Sequence, residues 1–214
     1  MIDFELIVPE GWAHIPTTPE LGRVRERTID AIVRQALPDT LPRDKAGPWR
    51  RILRKDLTEA TDEAQRQGAR AVVLPIQEMH GMRLPGTLLL SVIDDGENKQ
   101  DPKLVLDSIR ADAGADGTAL EIDGCPAVRV SQVIDSRTLN RKAPSVRVGY
   151  FVAAPDAPGV WGVLTFTVLT DGDVEAEAVQ AIVLLFDMVV STLRWADEVA
   201  VPTEDELLAA LPAD

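Results

Sequence analysis

Apolar and polar positions change rhythm repeatedly along this 214-residue chain, and each change marks the edge of an element. Phe4 to Val8 is a short apolar run closed by Pro9, Glu10 and Gly11, which predicts a strand and a turn ahead of Trp12. Leu21, Val24, Thr28, Ile32 and Leu37 then recur at helical spacing until Pro38 stops them. A second helix is predicted to begin near Pro48 and to run to Gln67. It carries Ile52, Leu53, Leu57, Ala60 and Ala64 on one side, with Gly68 as its stop. Ala71 to Gln77 and Leu84 to Ile93 read as strands joined across residues 78–83. The second is so nearly aliphatic throughout that burial on both faces is expected. Asp101-Pro102 has the chemistry of a helix start, an acceptor for free backbone N–H groups followed by a residue with none to lose. Gly117 to Ile122 and Pro126 to Ile134 flank the turn Asp123-Gly124, and Val146 to Ala154 and Val160 to Leu169 form a last hairpin.

A closing helix is expected from Asp173 to Trp195, capped by Thr170 or Asp171, with Asp173, Glu175 and Glu177 placed where a helix N-terminus is partially positive. Beyond Ala178 it is apolar almost all round, more than a single sheet-facing stripe requires. Either the early helices cover its second side or a subunit or partner does. These elements predict an α+β fold, an antiparallel sheet covered by helices on both faces as an α/β/α sandwich. Residues 1–195 are expected to form a single domain with a helical insertion at about 21–68. Residues 196–214 are expected to be a linker and a short C-terminal helix, in which Thr203 and Glu206 form a capping box and Leu207, Leu208 and Leu211 make an apolar face for a partner groove or a second subunit.

Charge sharpens this picture. The formal net charge is −13, and from Gly149 to Asp214 twelve acids face a single base, Arg194. Such a surface repels phosphate backbones, so no nucleic-acid partner is expected. The start of the sequence lacks a basic region followed by an apolar core, which leads us to expect no signal peptide and a cytoplasmic protein. The longest apolar run, Ala181 to Val190, is interrupted by Asp187 and is about half of the ~20 residues a bilayer needs, so no membrane insertion is expected. One cysteine, Cys125, forms no internal disulfide and suits a reducing compartment.

Candidate chemistry is sparse. With His14 and His80 as the only histidines there is no metal-ligand spacing, and no phosphate-cradling glycine loop or nucleophile elbow occurs, so no cofactor, no metal and no catalytic residue is assigned. Cys125 has no histidine near it in sequence and reads as a small buried hydrophobe. Two basic concentrations stand out in the acidic chain. Arg43, Lys45, Arg50, Arg51, Arg54 and Lys55 surround Trp49 and read as a solvated helix face, paired with Asp44, Asp56 and Glu59. Arg137, Arg141, Lys142 and Arg147 frame the connection before the last hairpin and are candidate partner-binding residues, because loops held by a rigid sheet often carry binding.

Three features together resemble the PsbP-like fold family: an apolar strand running into Pro9, Glu10, Gly11, Trp12; the stretch Gly124, Cys125, Pro126, Ala127, Val128, Arg129, Val130; and a last strand leading into a helix that ends F-D-x-x-x-S-T-L-R. That family groups the photosystem extrinsic protein, a Ran-binding nuclear-import factor and actinobacterial lipoproteins of the LpqN kind. The resemblance implies an α/β/α sandwich used as a binding or accessory module, here of an actinobacterial cytoplasmic type, generally without catalysis of its own. The expected partner is another protein or a second copy of the chain as a homodimer. The competing readings are a small enzyme without a recognisable motif and a self-associating structural protein.

Overall fold

Alternation along the strands between residues 86 and 169 builds a sheet whose two faces meet different helices. The computed structural model describes residues 3–38, 40–78, 84–96, 100–137 and 141–196. They fall into two compact units, one within Pro9–Arg83 and the other made of Met1–Val8 with Leu84–Ala200.

In the larger unit the strands β4 (Gly86–Asp94), β5 (Gly117–Ile122), β6 (Cys125–Ile134), β7 (Ser145–Ala153) and β8 (Val160–Leu169) lie in the order β4-β8-β7-β6-β5, each antiparallel to its neighbours. The register sets Leu88 beside Phe166 and Phe166 beside Val148, all three fully buried on one face. Helix α4 (Glu177–Ser191) closes that face, its Phe186 ring stacked on Phe166 with centroids 4.8 Å apart. Residues one step along each strand point the other way. There Leu106 of helix α3 (Pro102–Ala113) packs with Val128, Ala153 and Trp161. Helices thus lie on both faces of an antiparallel sheet, as the apolar periodicities predict.

Two short strands extend the α4 side: β1 (Asp3–Glu5) pairs antiparallel with β9 (Arg194–Ala196), and Phe4 meets Trp195 edge-on at 5.6 Å. Position 162 is glycine for this reason, since a Cβ there would come within 3.2 Å of the Trp195 ring.

In the smaller unit β2 (Trp12–Pro16) pairs with β3 (Ala69–Pro75), and helices α1 (Gly22–Ala36) and α2 (Arg43–Arg66) pack on β2 and β3 respectively and on each other. Polar clamps hold the helix pair. Arg25 reaches Gln65 at 2.9 Å and Asp62 at 3.1 Å, Arg54 meets Asp30 at 2.8 Å, and Arg50 donates to the Leu37 and Pro38 carbonyls beyond α1. The buried Thr17 hydroxyl donates to the Ala69 carbonyl and ties the two strands at one end.

Several boundaries differ from expectation. Helix α2 starts at Arg43, a turn before Pro48, because a proline early in a helix removes only one internal hydrogen bond while the amides of Lys45 and Ala46 already reach the Pro42 carbonyl. Helix α4 begins at Glu177 with Ala176 at its cap. The polar residues ahead of it serve turns instead: Thr170 is buried and donates to the Pro144 carbonyl, and Asp173 accepts from the Glu175 amide. The helix stops at Ser191, and Arg194 to Ala196 extend as β9 because β1 offers them a ladder. Strand β4 is not buried on both faces. Leu88 and Leu90 are buried, whereas Ile93 is exposed, since α3 lies chiefly over β5 and β6. The expected cap at Asp101 is present, its carboxylate accepting the Lys103 amide at 2.9 Å. The predicted C-terminal helix with Leu207, Leu208 and Leu211 lies outside the described residues, as does His80.

Candidate functional site

The turn Asp123-Gly124 is where local sequence begins to build a site. Both residues have positive φ, 54° and 72°, the mirror-image geometry that lets a two-residue turn follow the twist of its strands, with Ile122 and Cys125 closing the ladder. The Asp123 carboxylate then reaches out of the turn, accepting the Trp195 amide at 2.8 Å and facing the Arg194 guanidinium at 3.5 Å. A side chain that chemistry assigns to a turn therefore also anchors β9.

Along the same face β6 offers Arg129 and β7 offers Tyr150 directly opposite. Asp187 descends from α4 between them. The Arg129 guanidinium grips the Asp187 carboxylate at 3.1 and 3.0 Å, the Tyr150 hydroxyl donates to the same carboxylate at 2.6 Å, and Arg129 Nε also lies 3.2 Å from that hydroxyl. Burial opposes the charge on Arg129, but the hydrogen bonds and attraction of Asp187 outweigh it and hold the guanidinium pKa above its ordinary value. Burial, and then the carboxylate it donates to, push the Tyr150 phenol well above its usual pKa, although Arg129 works in the other direction. Arg129 and Tyr150 thus keep their protons at neutral pH, and the trio fastens α4 to the sheet.

Beside this trio a cleft of about 420 Å³ opens between the β5–β6 turn and the last turns of α4, lined among others by Glu121, Asp123, Tyr150, Asp187, Ser191 and Arg194. Glu121, at the rim of the cleft, is exposed and makes no ion pair among the described residues, but it sits opposite Pro126, on the face of the sheet away from Arg129 and α4. Cys125 lies next to it but is buried, and desolvation followed by the charges of Asp123, Glu121 and Asp156 raises its thiol pKa, so it holds its proton. Among the described residues no group of three His, Cys, Asp or Glu side chains converges as a metal set.

Outward from the cleft, α4 shows what its all-round apolarity implied. Val183, Phe186 and Val190 point into the core, while Leu184 and Met188, one turn apart, are 61% and 59% exposed. Ile7 is exposed too, and its amide is held by the Thr192 hydroxyl, one turn beyond Met188. Most of the surrounding charges are acidic: Glu177 is exposed on α4 itself and Asp173 and Glu175 precede it, while at the cleft Asp123 is paired with the exposed Arg194.

Large apolar side chains also face solvent on α3, where Leu104 is 66% exposed, and in a pair on α2, where Trp49 and Ile52 are 63% and 48% exposed. The α2 pair's exposed neighbours are mostly basic, with Asp56 one turn beyond Ile52 the exception. Lys45, Arg51 and Lys55 are all exposed, and Lys45 and Arg51 make no ion pair among the described residues. The cluster is only partly the self-paired face expected of it: Lys55 does meet Glu59, but Arg50 donates to the carbonyl just beyond α1 and Arg54 meets Asp30 within it.

The four loop bases singled out from sequence separate. Arg137 pairs with Asp135 at 2.6 Å and, with Lys142, lines a shallow depression of about 370 Å³. Arg141 is half-buried and donates to the Thr170 carbonyl at 2.8 Å, a clamp between this loop and the end of β8. Arg147 is exposed on the α3-side face of β7, level with Gln132 and Thr167. Sequence reasoning passed over Arg129, Tyr150 and Asp187. The available signal was the lone acid Asp187 inside the run Ala181 to Val190, since an ionised group in such a stretch needs a partner.

No protein-family profile matches the chain, and no curated protein does. Among solved structures it is similar to LpqN of Mycobacterium tuberculosis, described as involved in cell envelope biogenesis, at 13% identity and a TM-score of 0.46 over 92% of this chain and 84% of that one. It is also similar to the Ran-binding protein Mog1p of Saccharomyces cerevisiae, at 12% identity and a TM-score of 0.35 over 58% of this chain and 77% of that one. No helix among the described residues is long and apolar enough to cross a membrane.

Proposed function

We propose that this chain is a non-catalytic binding or accessory module that docks a protein partner on the outward side of α4 and the adjoining acidic cleft. The observation that carries the reading is the exposure of Leu184 and Met188 on a helix whose rim is acidic. Covering the exposed part of Leu184 and Met188 is worth about 1–2 kcal/mol each, enough to favour a partner with a matching apolar segment. Methionine adapts to irregular surfaces, and the exposed carboxylates of Asp173, Glu175 and Glu177 at the start of the helix favour lysine or arginine beside that segment. The trio behind the cleft supports a structural role, because Arg129 and Tyr150 hold their protons rather than exchange them near neutrality. A reducing compartment such as the cytoplasm suits the buried Cys125.

The test compares capture by the immobilised wild-type chain, by Leu184→Glu/Met188→Glu, and by Val133→Glu, which alters an exposed apolar residue elsewhere in the same unit. A protein retained by the wild type and by Val133→Glu, lost with the α4 variant, and bound at least tenfold more weakly by that variant when purified, is the expected result. Equal capture by all three would reject α4 as the docking face.

A further inference from the structure

Resting on the reading of α4 as a docking face, we infer that its occupant is helix α2 of a second copy of this chain. Both surfaces present a pair of large apolar side chains about one turn apart, Trp49 and Ile52 on α2 and Leu184 and Met188 on α4, each between 48% and 63% exposed. Their charges are opposite. Lys45, Arg51 and Lys55 lie around the first pair, Lys55 already meeting Glu59, while Glu177 on α4 and Asp173 and Glu175 just ahead of it lie on the side of the second. Charge decides among the possible self-contacts: α4 on α4 sets acid against acid, α2 on α2 sets base against base, and α2 on α4 alone joins the apolar pairs with attraction around them. The same division runs through the chain, since from Gly149 onward it holds twelve acids and one base while the exposed bases of α2 lie far upstream. Two such contacts related by a two-fold axis close a dimer, and a single repeated contact builds a chain of copies.

The experiment is sedimentation of the full-length protein over a concentration series at low and high salt, with two variants: Trp49→Glu/Ile52→Glu on α2 and Leu184→Lys/Met188→Lys on α4. All four side chains are exposed, so both variants retain the fold, which circular dichroism checks. The wild type is expected to associate, more weakly as salt rises, and each variant alone to lose at least tenfold in self-affinity. Mixing the two variants is expected to restore association, because one copy supplies an intact α4 and the other an intact α2. Failure of the mixture to recover overturns the α2–α4 pairing, as does a wild type that stays monomeric at every concentration. Loss of association on truncation after Ala200, with Trp49→Glu/Ile52→Glu unaffected, would also overturn it and assign the contact to Leu207, Leu208 and Leu211. A monomeric wild type whose foreign partner is lost on changing α4 would sink this inference and leave the docking face standing, whereas partner capture indifferent to α4 would sink the docking face itself.

Discussion

Helices α2 and α4 both leave large apolar residues in solvent, yet they are held in place by opposite means. The inner side of α4 is a continuous buried stripe, Val179, Val183, Phe186 and Val190, all 8% exposed or less. Among its described residues the inner side of α2 buries Ala46, Thr61 and Ala64, and its attachment relies on arginine clamps to α1. A helix fixed by packing leaves its outer residues free to vary without loss of fold, whereas one fixed by surface ion pairs has little stability in reserve. The exposed pairs on the two helices therefore differ in cost of removal, and variants on their inner sides test that difference.

The largest effect is expected at Phe186. Replacing it with alanine empties the stack on Phe166 and should destabilise the protein by about 3–5 kcal/mol, read from the midpoint of chemical denaturation. A loss below about 1 kcal/mol would show that α4 is not the packed helix described. Next comes the polar anchor of the same helix. Asp187→Ala strands Arg129 and Tyr150, both mostly out of solvent, and should cost roughly 1–3 kcal/mol, with Asp187→Asn milder because its amide oxygen still accepts the Tyr150 hydroxyl. If Asp187→Ala proves neutral, packing alone holds α4.

A pH effect is expected from the smaller unit. Desolvation lowers the pKa of His14 on β2, only partly opposed by a backbone hydrogen bond, so the ring stays neutral in the folded chain when the unfolded chain takes up a proton. Stability is thus unaffected by His14 above its ordinary pKa of about 6.5 and falls as pH drops below it, by at most about 1.4 kcal/mol per pH unit, until the folded ring protonates. Denaturation midpoints across this range should fall less steeply for His14→Gln than for the wild type, and parallel slopes would count against the buried neutral ring. The smallest effect is at the α2 clamp. Arg54→Ala removes an ion pair whose partners are each about half exposed, 53% and 49%, and should cost about 0.2–1 kcal/mol, less in high salt. A loss as large as that of Asp187→Ala would erase the contrast between the two helices.

Which parts of this protein were legible in its sequence follows from how local their causes are. The cap at Asp101, the turn at Asp123-Gly124 and the alternation in β7 and β8 depend on neighbours a few residues away, and they lie where the pattern puts them. Thr170 and Asp173 carry the same chemistry as a cap but spend it on turns, and only the path of the chain into α4 separates the two uses. Arg194 to Ala196 read as the end of a helix until β1, nearly two hundred residues earlier in the chain, supplies a strand to pair with. Arg129 and Tyr150 look like interruptions in apolar strands, and Asp187 like one in an apolar helix; 21 and 58 residues separate Arg129 from its two partners.

The sequence by itself determined the α+β class, the antiparallel order of the hairpins, the strongly acidic last third and an α4 too apolar for one face, because each follows from periodicity, turn chemistry or charge. Tertiary structure alone decided that Asp187 would be neutralised by Arg129, that Gly162 would make room for Trp195, and that Leu184 and Met188 would be the apolar residues of α4 left in water. The physical reason is that burial belongs to a pair of surfaces: a helix apolar all round has no preferred side until the sheet it packs on has taken one.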